Sequence, residues 1–498
     1  MSFPSLLRIG ILKLSIVLVC LIILYTVVLV GASEDDFNVA VINVLGPMSL
    51  FVVFCAVGYR TIRHSSVSIW TPYVVFIAGC ALFYGIGPLV YTLGSDDTLA
   101  RLNASNLSIS SLELLQVNLL VVVGLLVTLF GFYLSTKMSN NQYSKSASIH
   151  TFQLSTLAVV FTVTGFIIRY FFSLPYEFGM SGFTLPGSVH SLSYLLALGL
   201  ALIGFLSVRS GGRWTYLFWI ILLPNVFVAV MQFSKSAAII NLILPALGCF
   251  LAHQRFGRLF RWGFVAAIMY FSMQPMVLTA RSHIYEQTET IFRATLPERL
   301  HIIKRYVKGE LSFVSHHGSD DQPSWTRLNY FGQLAFAMRL YDQGFPSKTL
   351  QNLWIVFIPR VLWPSKPVVI GPGEDFNEIA TGRRGSFMGL GIYGDGYWNA
   401  GWLGAMGFGI LMGIIFGWMS QKTLNWLQTG QFIYLPAILI AFQTALLGPN
   451  KFLINGLIAP SILYTAYVIL ITIIVRLKMR MEIRTRKTPE FINRGSLN

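Results

Sequence analysis

The chain has 498 residues, of which 54% are hydrophobic and 11% are charged, and its formal net charge is +16 at pH 7. Soluble domains usually carry about 25% charged residues, so this composition excludes an ordinary water-soluble globule. The basic excess does not indicate nucleic-acid binding, because the Lys and Arg residues lie between apolar runs and form no dense patch with interleaved aromatic residues.

Apolar segments recur along almost the whole sequence, each about as long as the ~20 residues with which an α-helix crosses a bilayer core. The first segment is predicted to remain in the protein, since no small-residue cleavage site follows it. The predicted spans cover residues 9–31, 38–58, 69–93, 112–135, 153–173, 189–208, 214–232, 237–253, 262–280, 400–420, 432–449 and 453–475.

The distribution of Lys and Arg predicts the orientation of these spans. With the N-terminus in the cytoplasm and strict alternation, the N-terminal segment with Arg8 and Lys13, the cytoplasmic connections and the C-terminal tail together contain 19 Lys and Arg residues. The short connections on the other side contain three, Arg101, Lys235 and Lys451. The preference of basic residues for the cytoplasmic side therefore predicts about 12 spans, an even number, and two cytoplasmic termini.

Four regions follow from this topology. Residues 1–280 contain spans one to nine, 281–399 form a large non-cytoplasmic loop, 400–475 contain the last three spans, and 476–498 form a basic cytoplasmic tail. A structureless loop of that size is uncommon, so the loop is predicted to contain helices of its own.

Within the loop, residues 283–308 and 325–343 have the pattern of amphipathic helices. The run from Leu350 to Leu362 is apolar but too short to cross the membrane, and it predicts a re-entrant or interfacial segment. Residues 364–396 are rich in Gly, Pro and charge, which predicts an ordered but irregular loop of the kind that often carries functional residues.

Several basic residues fall, on this topology, in one layer near the non-cytoplasmic interface. They are Arg169, Lys235, Arg281, Arg360, Lys366, Arg383, Arg384 and Lys451. A cation that is costly at this depth and nevertheless present indicates a function. A lipid-linked pyrophosphate would account for the layer, because Arg pairs with phosphate through two parallel hydrogen bonds and Lys acts as a point charge. The alternative is that these side chains snorkel to the interface or form local salt bridges.

A proline-rich run at 358–367 encloses Arg360, Lys366 and Trp363 between three prolines. Because proline restricts the backbone, this run can hold the two cations at a fixed separation and offer Trp363 to a sugar face. The alternative is a purely structural turn at the membrane interface.

Carboxylates of the same loop are the acid–base candidates: Glu374, Asp375, Glu378 and Asp395. A glycosyl transfer with inversion needs a group that accepts the proton of the acceptor hydroxyl. Asp395 lies between two glycines, which would let a sugar approach closely. Each carboxylate could instead be a salt-bridge partner within the loop.

The sequence predicts neither a metal nor a cofactor. The loop histidines lack further ligands at metal-binding spacing. No glycine-rich phosphate loop follows a strand pattern, which disfavours a nucleotide-sugar donor.

Two stretches resemble one known family, the Wzy-type bacterial O-antigen and exopolysaccharide polymerases. The first resembles their Pro-Arg-x-Leu-Trp-Pro-x-Lys-Pro stretch and reads Pro359-Arg360-x-Leu362-Trp363-Pro364-x-Lys366-Pro367. The second is similar to the segment that leads into their next span and reads Gly394-Asp395-x-Tyr397-x-Asn399-x-Gly401-x-x-Gly404. The architecture is similar over nearly the full length.

This resemblance implies an all-α polytopic fold of the GT-C type in the bacterial inner membrane, with a large helical periplasmic loop. It implies that both donor and acceptor are glycans on undecaprenyl pyrophosphate, used without nucleotide sugar or cofactor. Membrane lipid and a chain-length regulator protein are the further implied partners, and nucleic acid is not one. The family's Arg-x10-Gly pattern fits from Arg360 to Gly371 and from Arg383 to Gly394, but the earlier loop at 174–188 contains no Arg.

The predicted activity is therefore an inverting, metal-independent glycosyltransferase that polymerises lipid-linked repeat units. Arg360 and the other cations of the layer would bind pyrophosphate and stabilise its developing charge. Asp395 or Glu374 would be the base, and the sugar platforms would be Trp325, Trp363 and Tyr393. Two alternatives remain: an O-antigen ligase with a lipid A–core acceptor, and a polysaccharide flippase or transporter, whose signature would be ionisable residues near mid-bilayer.

Overall fold

In a computed structural model of the protein, the residues described are 3–31, 37–103, 106–138, 151–181, 192–253, 255–288, 294–311, 328–351, 353–356, 358, 363, 372–382 and 388–486. All regular structure within these ranges is helical. Predictions that fall on other residues lie outside the described part of the chain.

Ten helices precede the large loop, four lie within it and three follow it in the described ranges. Those before it are α1 (Phe3–Gly31), α2 (Phe37–His64), α3 (Pro72–Leu93), α4 (Asp96–Asn103), α5 (Ser111–Met138), α6 (Leu154–Glu177), α7 (Tyr194–Ser210), α8 (Arg213–Met231), α9 (Lys235–His253) and α10 (Phe256–Thr288). Those within it are α11 (Leu296–Val307), α12 (Phe331–Asp342), α13 (Leu353–Val356) and α14 (Pro372–Thr381). Those after it are α15 (Ile392–Gln428), α16 (Leu435–Leu447) and α17 (Ala459–Arg486).

Within the described residues, ten helical segments are long and apolar enough to cross a membrane. Two further apolar helices, Tyr194–Ser210 and Ala237–His253, are shorter. Together they coincide with the twelve segments predicted from the sequence. The prediction of a helical, multi-pass membrane protein is therefore confirmed.

Helices α5 and α15 make the most extensive contact between helices, and glycine permits it. Gly409, Gly413 and Gly417 recur at every fourth position of α15 and face α5. A methyl group on Gly413 would overlap the backbone oxygen of Thr128. Small residues at this spacing let two backbones approach closely, which strengthens packing where lipid supplies no hydrophobic drive between helices.

A similar contact joins α7 to its neighbours on both sides. A methyl group on Gly165 would overlap the backbone of Leu196 in α7, and one on Gly248 of α9 would overlap the backbone of Ala201. Helix α7 is thus enclosed between α6 and α9, which explains why its residues from Leu196 to Leu206 are buried although the helix is short.

The helices of the large loop pack on one end of the membrane helices, which we call the large-loop side. Helix α11 begins with a capping box between Thr295 and Glu298 and lies against α10 and α8. Helix α12 lies on α15 and on the start of α5, where Arg339 and Glu113 form a salt bridge of 2.7 Å.

One prediction for the loop needs correction. The segment predicted to be irregular contains helix α14, since its apolar Phe376 packs against Phe336 and Trp398. Helix α10 extends into the predicted loop as far as Thr288, and α15 begins within it at Ile392. Helix α15 is interrupted at Ala400 and Gly401, so Asp395 lies in a short helical segment before the kink.

The glycine contact yields a prediction with a matched control. We expect Gly413→Ala to lower the stability of the purified protein by about 2 kcal/mol, because the added methyl group overpacks the α5–α15 contact. Gly407 lies on the same helix with open space around it. Gly407→Ala should leave stability unchanged or raise it by about 0.5–1 kcal/mol, because alanine favours the helix. Thermal unfolding in detergent measures both, and equal behaviour of the two variants would contradict this packing.

Candidate functional site

A buried arginine of the large loop joins three segments on the large-loop side. Arg299 of α11 is 2% exposed. Its guanidinium donates hydrogen bonds to the backbone oxygens of Ala294 (3.0 Å), Met231 (3.2 Å) and Glu177 (3.2 Å). It also lies over the ring of Phe178, 5.0 Å from the centroid. The loop helix is thereby attached to the ends of α6 and α8.

Burial has an electrostatic cost that these contacts offset. Desolvation lowers the pKa of the Arg299 guanidinium to about 10, while the carboxylates of Glu177 and Glu298 act in the opposite direction. The group is therefore charged at neutral pH. A buried charge is tolerated only when its hydrogen-bond donors have acceptors. The three backbone oxygens are the acceptors for Arg299.

The turn at 231–234, between α8 and α9, is held from two directions. Its Phe233 has a φ of +50°, which is uncommon for a residue other than glycine. Arg281, near the end of α10, donates from Nε to the backbone oxygen of Phe233 over 2.9 Å. Arg299 lies over the Phe233 ring, 5.6 Å from its centroid. Arg281 was predicted to bind pyrophosphate. Its hydrogen bond to Phe233 shows that it also stabilises the turn.

Arg169 lies beside the same turn. It is 8% exposed and donates to Gln232 Oε1 over 3.5 Å, while the Gln232 amide donates to Glu177. Among the described residues, Arg169 Nε has no hydrogen-bond partner. A buried guanidinium nitrogen without a partner is costly, and an anion at this position would satisfy it.

The predicted layer of cations is therefore partly assembled. Arg169 and Arg281 contact neighbouring residues of the 231–234 turn, and Lys235 directly follows the turn as the first residue of α9. The side chain of Lys235 lies outside the described part of the chain. Arg360, Lys366, Arg383, Arg384 and the predicted sugar platform Trp325 also lie outside it.

Lys451 lies at a different place, on a cavity of 290 Å³ between α7, α9, α16 and α17, which we call the Lys451 cavity. Its apolar walls include Leu198, Leu244 and Leu463, and its polar groups include Gln443 and Asn455. The residue as a whole is exposed, and desolvation by the cavity wall lowers the pKa of the Lys451 ammonium. A cavity with one cation and long apolar walls suits an amphipathic anion.

Two tyrosines extend the polar part of this cavity. Tyr467 is 6% exposed, and its hydroxyl has no hydrogen-bond partner among the described residues. Tyr194 lines the cavity and interacts electrostatically with Arg169 and Glu177.

The structure gives no support to Asp395 as the base. The residue has no exposed surface, and both carboxylate oxygens accept hydrogen bonds, from Asn399 Nδ2 (2.9 Å) and from the backbone N–H of Leu453 (2.8 Å). An acceptor hydroxyl has no access to it in this conformation. The glycines around Asp395 serve close helix packing, since a methyl group on Gly396 would lie 2.6 Å from the Gly404 oxygen.

Other carboxylates border a groove of 310 Å³ on the large-loop side, which we call the α14 groove. Asp375 and Glu378 of α14 line it together with Lys348, Thr349 and, on the membrane side, Ile454. Glu374 begins the same helix and is half-buried. Carboxylates at this groove are accessible to a hydroxyl ligand, which Asp395 is not.

The two described aromatic candidates differ in position. Tyr393 is fully buried, packs on Gly124 of α5 and bonds Thr128 Oγ1 over 2.9 Å, so it has no face for a sugar. Its prediction as a sugar platform is corrected on this geometry. Trp363 stacks on the exposed Trp354, with ring centroids 5.9 Å apart. Its role as a sugar platform or as an interfacial anchor stays a prediction.

Sequence reasoning missed Arg299, Glu177 and Gln232. Arg299 lies in a stretch whose pattern predicts an amphipathic helix. Nothing in the local sequence distinguishes an arginine that faces water from one that contacts a turn between other helices. The only local signal is Thr295–Glu298, whose capping box marks where α11 begins.

No group of three or more metal-ligating side chains occurs among the residues that the structure describes. Comparisons with family models, with curated proteins and with solved structures find no match to this chain. A function for this chain is therefore inferred from the geometry of the site and from the motif resemblance.

Arg299 provides a test of the site's architecture. We expect Arg299→Lys to destabilise the protein by about 3 kcal/mol, because lysine retains the charge but can satisfy only part of the three backbone oxygens. Arg305 lies on the same helix, 3.9 Å from Glu310 in an exposed salt bridge. Arg305→Lys should change stability by less than about 0.5 kcal/mol. Thermal unfolding in detergent compares them, and an unaffected Arg299→Lys protein would refute this architecture.

Proposed function

We propose that this chain is a membrane glycosyltransferase that polymerises oligosaccharide repeat units carried on undecaprenyl pyrophosphate. The observation that carries the proposal is the Lys451 cavity, an amphipathic space in which one cation, Lys451, stands among apolar walls and a few polar groups. The motif resemblance to Wzy-type polymerases supports the same function independently of this cavity.

The cavity matches a lipid pyrophosphate in chemistry. Lys451 supplies a point charge, and Tyr467 supplies a hydroxyl whose hydrogen-bonding capacity is not used within the described residues. Leu198, Leu244 and Leu463 supply an apolar wall for the first units of an isoprenoid chain. Transfer of the glycan leaves negative charge on the pyrophosphate, and cations positioned in advance stabilise that charge.

The proposed orientation places the large-loop side in the periplasm and both termini in the cytoplasm. The excess of Lys and Arg in the short connections of the opposite side supports this orientation. A periplasmic site has no nucleotide sugar available to it, so the donor must carry its own leaving group. A lipid-linked pyrophosphate is such a donor.

The proposed reaction is a single displacement. A hydroxyl of the acceptor glycan attacks the anomeric carbon of the donor, the bond from that carbon to the pyrophosphate oxygen breaks, and the electron pair leaves with the lipid pyrophosphate. The hydroxyl proton passes to a carboxylate. Glu374, Asp375 and Glu378 are the candidates, since Asp395 is enclosed.

Lys451→Ala tests the donor site. We expect elongation of lipid-linked oligosaccharide by the purified protein to fall about 10- to 100-fold, equivalent to about 1.4–2.7 kcal/mol. Cells carrying the variant should accumulate short glycans. Lys422→Ala is the matched control, because Lys422 is an exposed lysine near the opposite end of α15. Normal chain length in Lys451→Ala cells, with equal protein in the membrane, would contradict the proposed site.

Deletion of the gene separates the proposed function from its alternatives. Loss of a polymerase leaves single repeat units attached to the final acceptor. Loss of a ligase leaves long chains on the lipid carrier, and loss of a flippase leaves lipid-linked repeats on the cytoplasmic side. Either of the last two results would overturn the polymerase assignment.

A further inference from the structure

We infer that Asp395 is a positioning residue, which holds the segment 449–456 and through it the amine of Lys451. The inference rests on the proposed function insofar as Lys451 contacts the donor. It assigns Asp395 a role different from that of a proton acceptor, and it makes the large loop responsible for the geometry of the Lys451 cavity.

The carboxylate of Asp395 connects two separate parts of the chain. Oδ2 accepts from the backbone N–H of Leu453, 2.8 Å away and two residues after Lys451. Oδ1 accepts from Asn399 Nδ2 over 2.9 Å, and Asn399 Oδ1 in turn accepts from the N–H of Leu350 over 3.1 Å. One carboxylate thus ties the segment after α16 to the start of α15 and to the large loop.

The residues before α15 hold the same segment at its other end. A methyl group on Gly389 would lie 2.6 Å from the Asn450 oxygen, and one on Gly391 would lie 2.7 Å from the Pro449 oxygen. Gly391 has a φ of +83°, which glycine adopts at little cost. The hydroxyl of Tyr84 donates to the Pro449 oxygen over 2.8 Å. The segment is therefore fixed on both sides of Lys451.

The segment lies between the two spaces described above. Lys451, Asn455 and Gly456 face the Lys451 cavity, whereas Ile454 lines the α14 groove. A methyl group on Gly456 would lie 2.7 Å from Lys451 Cβ, so the lysine stem packs directly on the next turn. That turn is π-helical from Ile454 to Ile458, a form that is frequent at functional sites. A shift of this segment would change both spaces at once.

Full burial separates positioning from proton transfer. A base must reach the acceptor hydroxyl, and Asp395 has no exposed surface. A positioning group needs only to accept from Leu453 and Asn399, which it does. The two roles make opposite predictions for a reciprocal exchange of the two side chains.

The first measurement is the elongation rate of the native protein, Asp395→Ala, Lys451→Ala and the double variant, each at equal amounts of monodisperse protein. We expect Asp395→Ala to lower kcat/KM about 10-fold in the native background and less than about 2-fold in the Lys451→Ala background. Equal losses in both backgrounds would overturn the inference, since a base or a general structural role predicts them.

The second measurement is the exchange Asp395→Asn with Asn399→Asp. Its amide oxygen can accept from Leu453, and its amide N–H can donate to the new carboxylate at 399, whereas the bond that Asn399 Nδ2 donates to the backbone oxygen of Asp395 over 2.8 Å is lost. We expect Asp395→Asn alone to lose activity, because it opposes two amide donors, and the exchange to be at least about three-fold more active than Asp395→Asn. An exchange variant as inactive as Asp395→Asn would overturn the inference.

The third measurement does not depend on catalysis. We expect acetylation of Lys451 by an amine-reactive reagent, followed by peptide mass spectrometry, to become about five-fold faster in Asp395→Ala and to return towards the native rate in the exchange variant. Lys422 serves as the internal control. An unchanged Lys451 rate in Asp395→Ala would overturn the positioning role. Native elongation by both Lys451→Ala and Asp395→Ala, together with the faster acetylation, would contradict the donor site and support the positioning role.

Discussion

The close contact between α5 and α15 is the constraint on which the large-loop side depends. Without side chains at Gly409, Gly413 and Gly417, the backbone of α15 can touch α5. The same contact continues past the kink at Gly401, where buried Tyr393 packs on Gly124 and bonds Thr128. The start of α15 therefore has one position relative to the membrane helices, and everything attached to that start, above all the segment after α16, takes its position from it.

A second anchor is polar and lies at the ends of α6 and α8. Arg299 donates to one backbone oxygen at each of these two helix ends, and Arg281 donates to the backbone oxygen of Phe233. Backbone carbonyl oxygens without hydrogen-bond partners would be costly beside lipid. Arginine side chains of the loop and of α10 supply the donors that these oxygens lack. The two anchors differ in chemistry, but both make the large loop part of the same rigid arrangement as the helices.

Features that depend on local sequence could be predicted, whereas features that depend on residues far apart in the sequence could not. The apolar helices could be predicted to within about eight residues at their ends, because membrane crossing imposes a local requirement on length and hydropathy. Arg169 and Arg281, which the predicted topology puts at a similar depth, both contact the 231–234 turn. The role of Arg299, the burial of Asp395 and the core position of Tyr393 depend on partners more than 50 residues away in sequence, such as Leu453 and Thr128. No local pattern contains such a partner.

The two anchors suggest why, under the proposed function, the Lys451 cavity and the α14 groove lie next to each other. A lipid-linked donor stays at a fixed depth, while an acceptor glycan extends into water, so the reacting atoms meet only where a membrane cavity and an outer groove share a wall. The segment from Lys451 to Ile454 is such a wall, with a cation on one face and the α14 groove on the other. Reactions between two bound partners gain most when their relative position is fixed in advance. Buried side chains, those of Asp395 and Tyr84, bond the backbone of this wall and provide that fixed position.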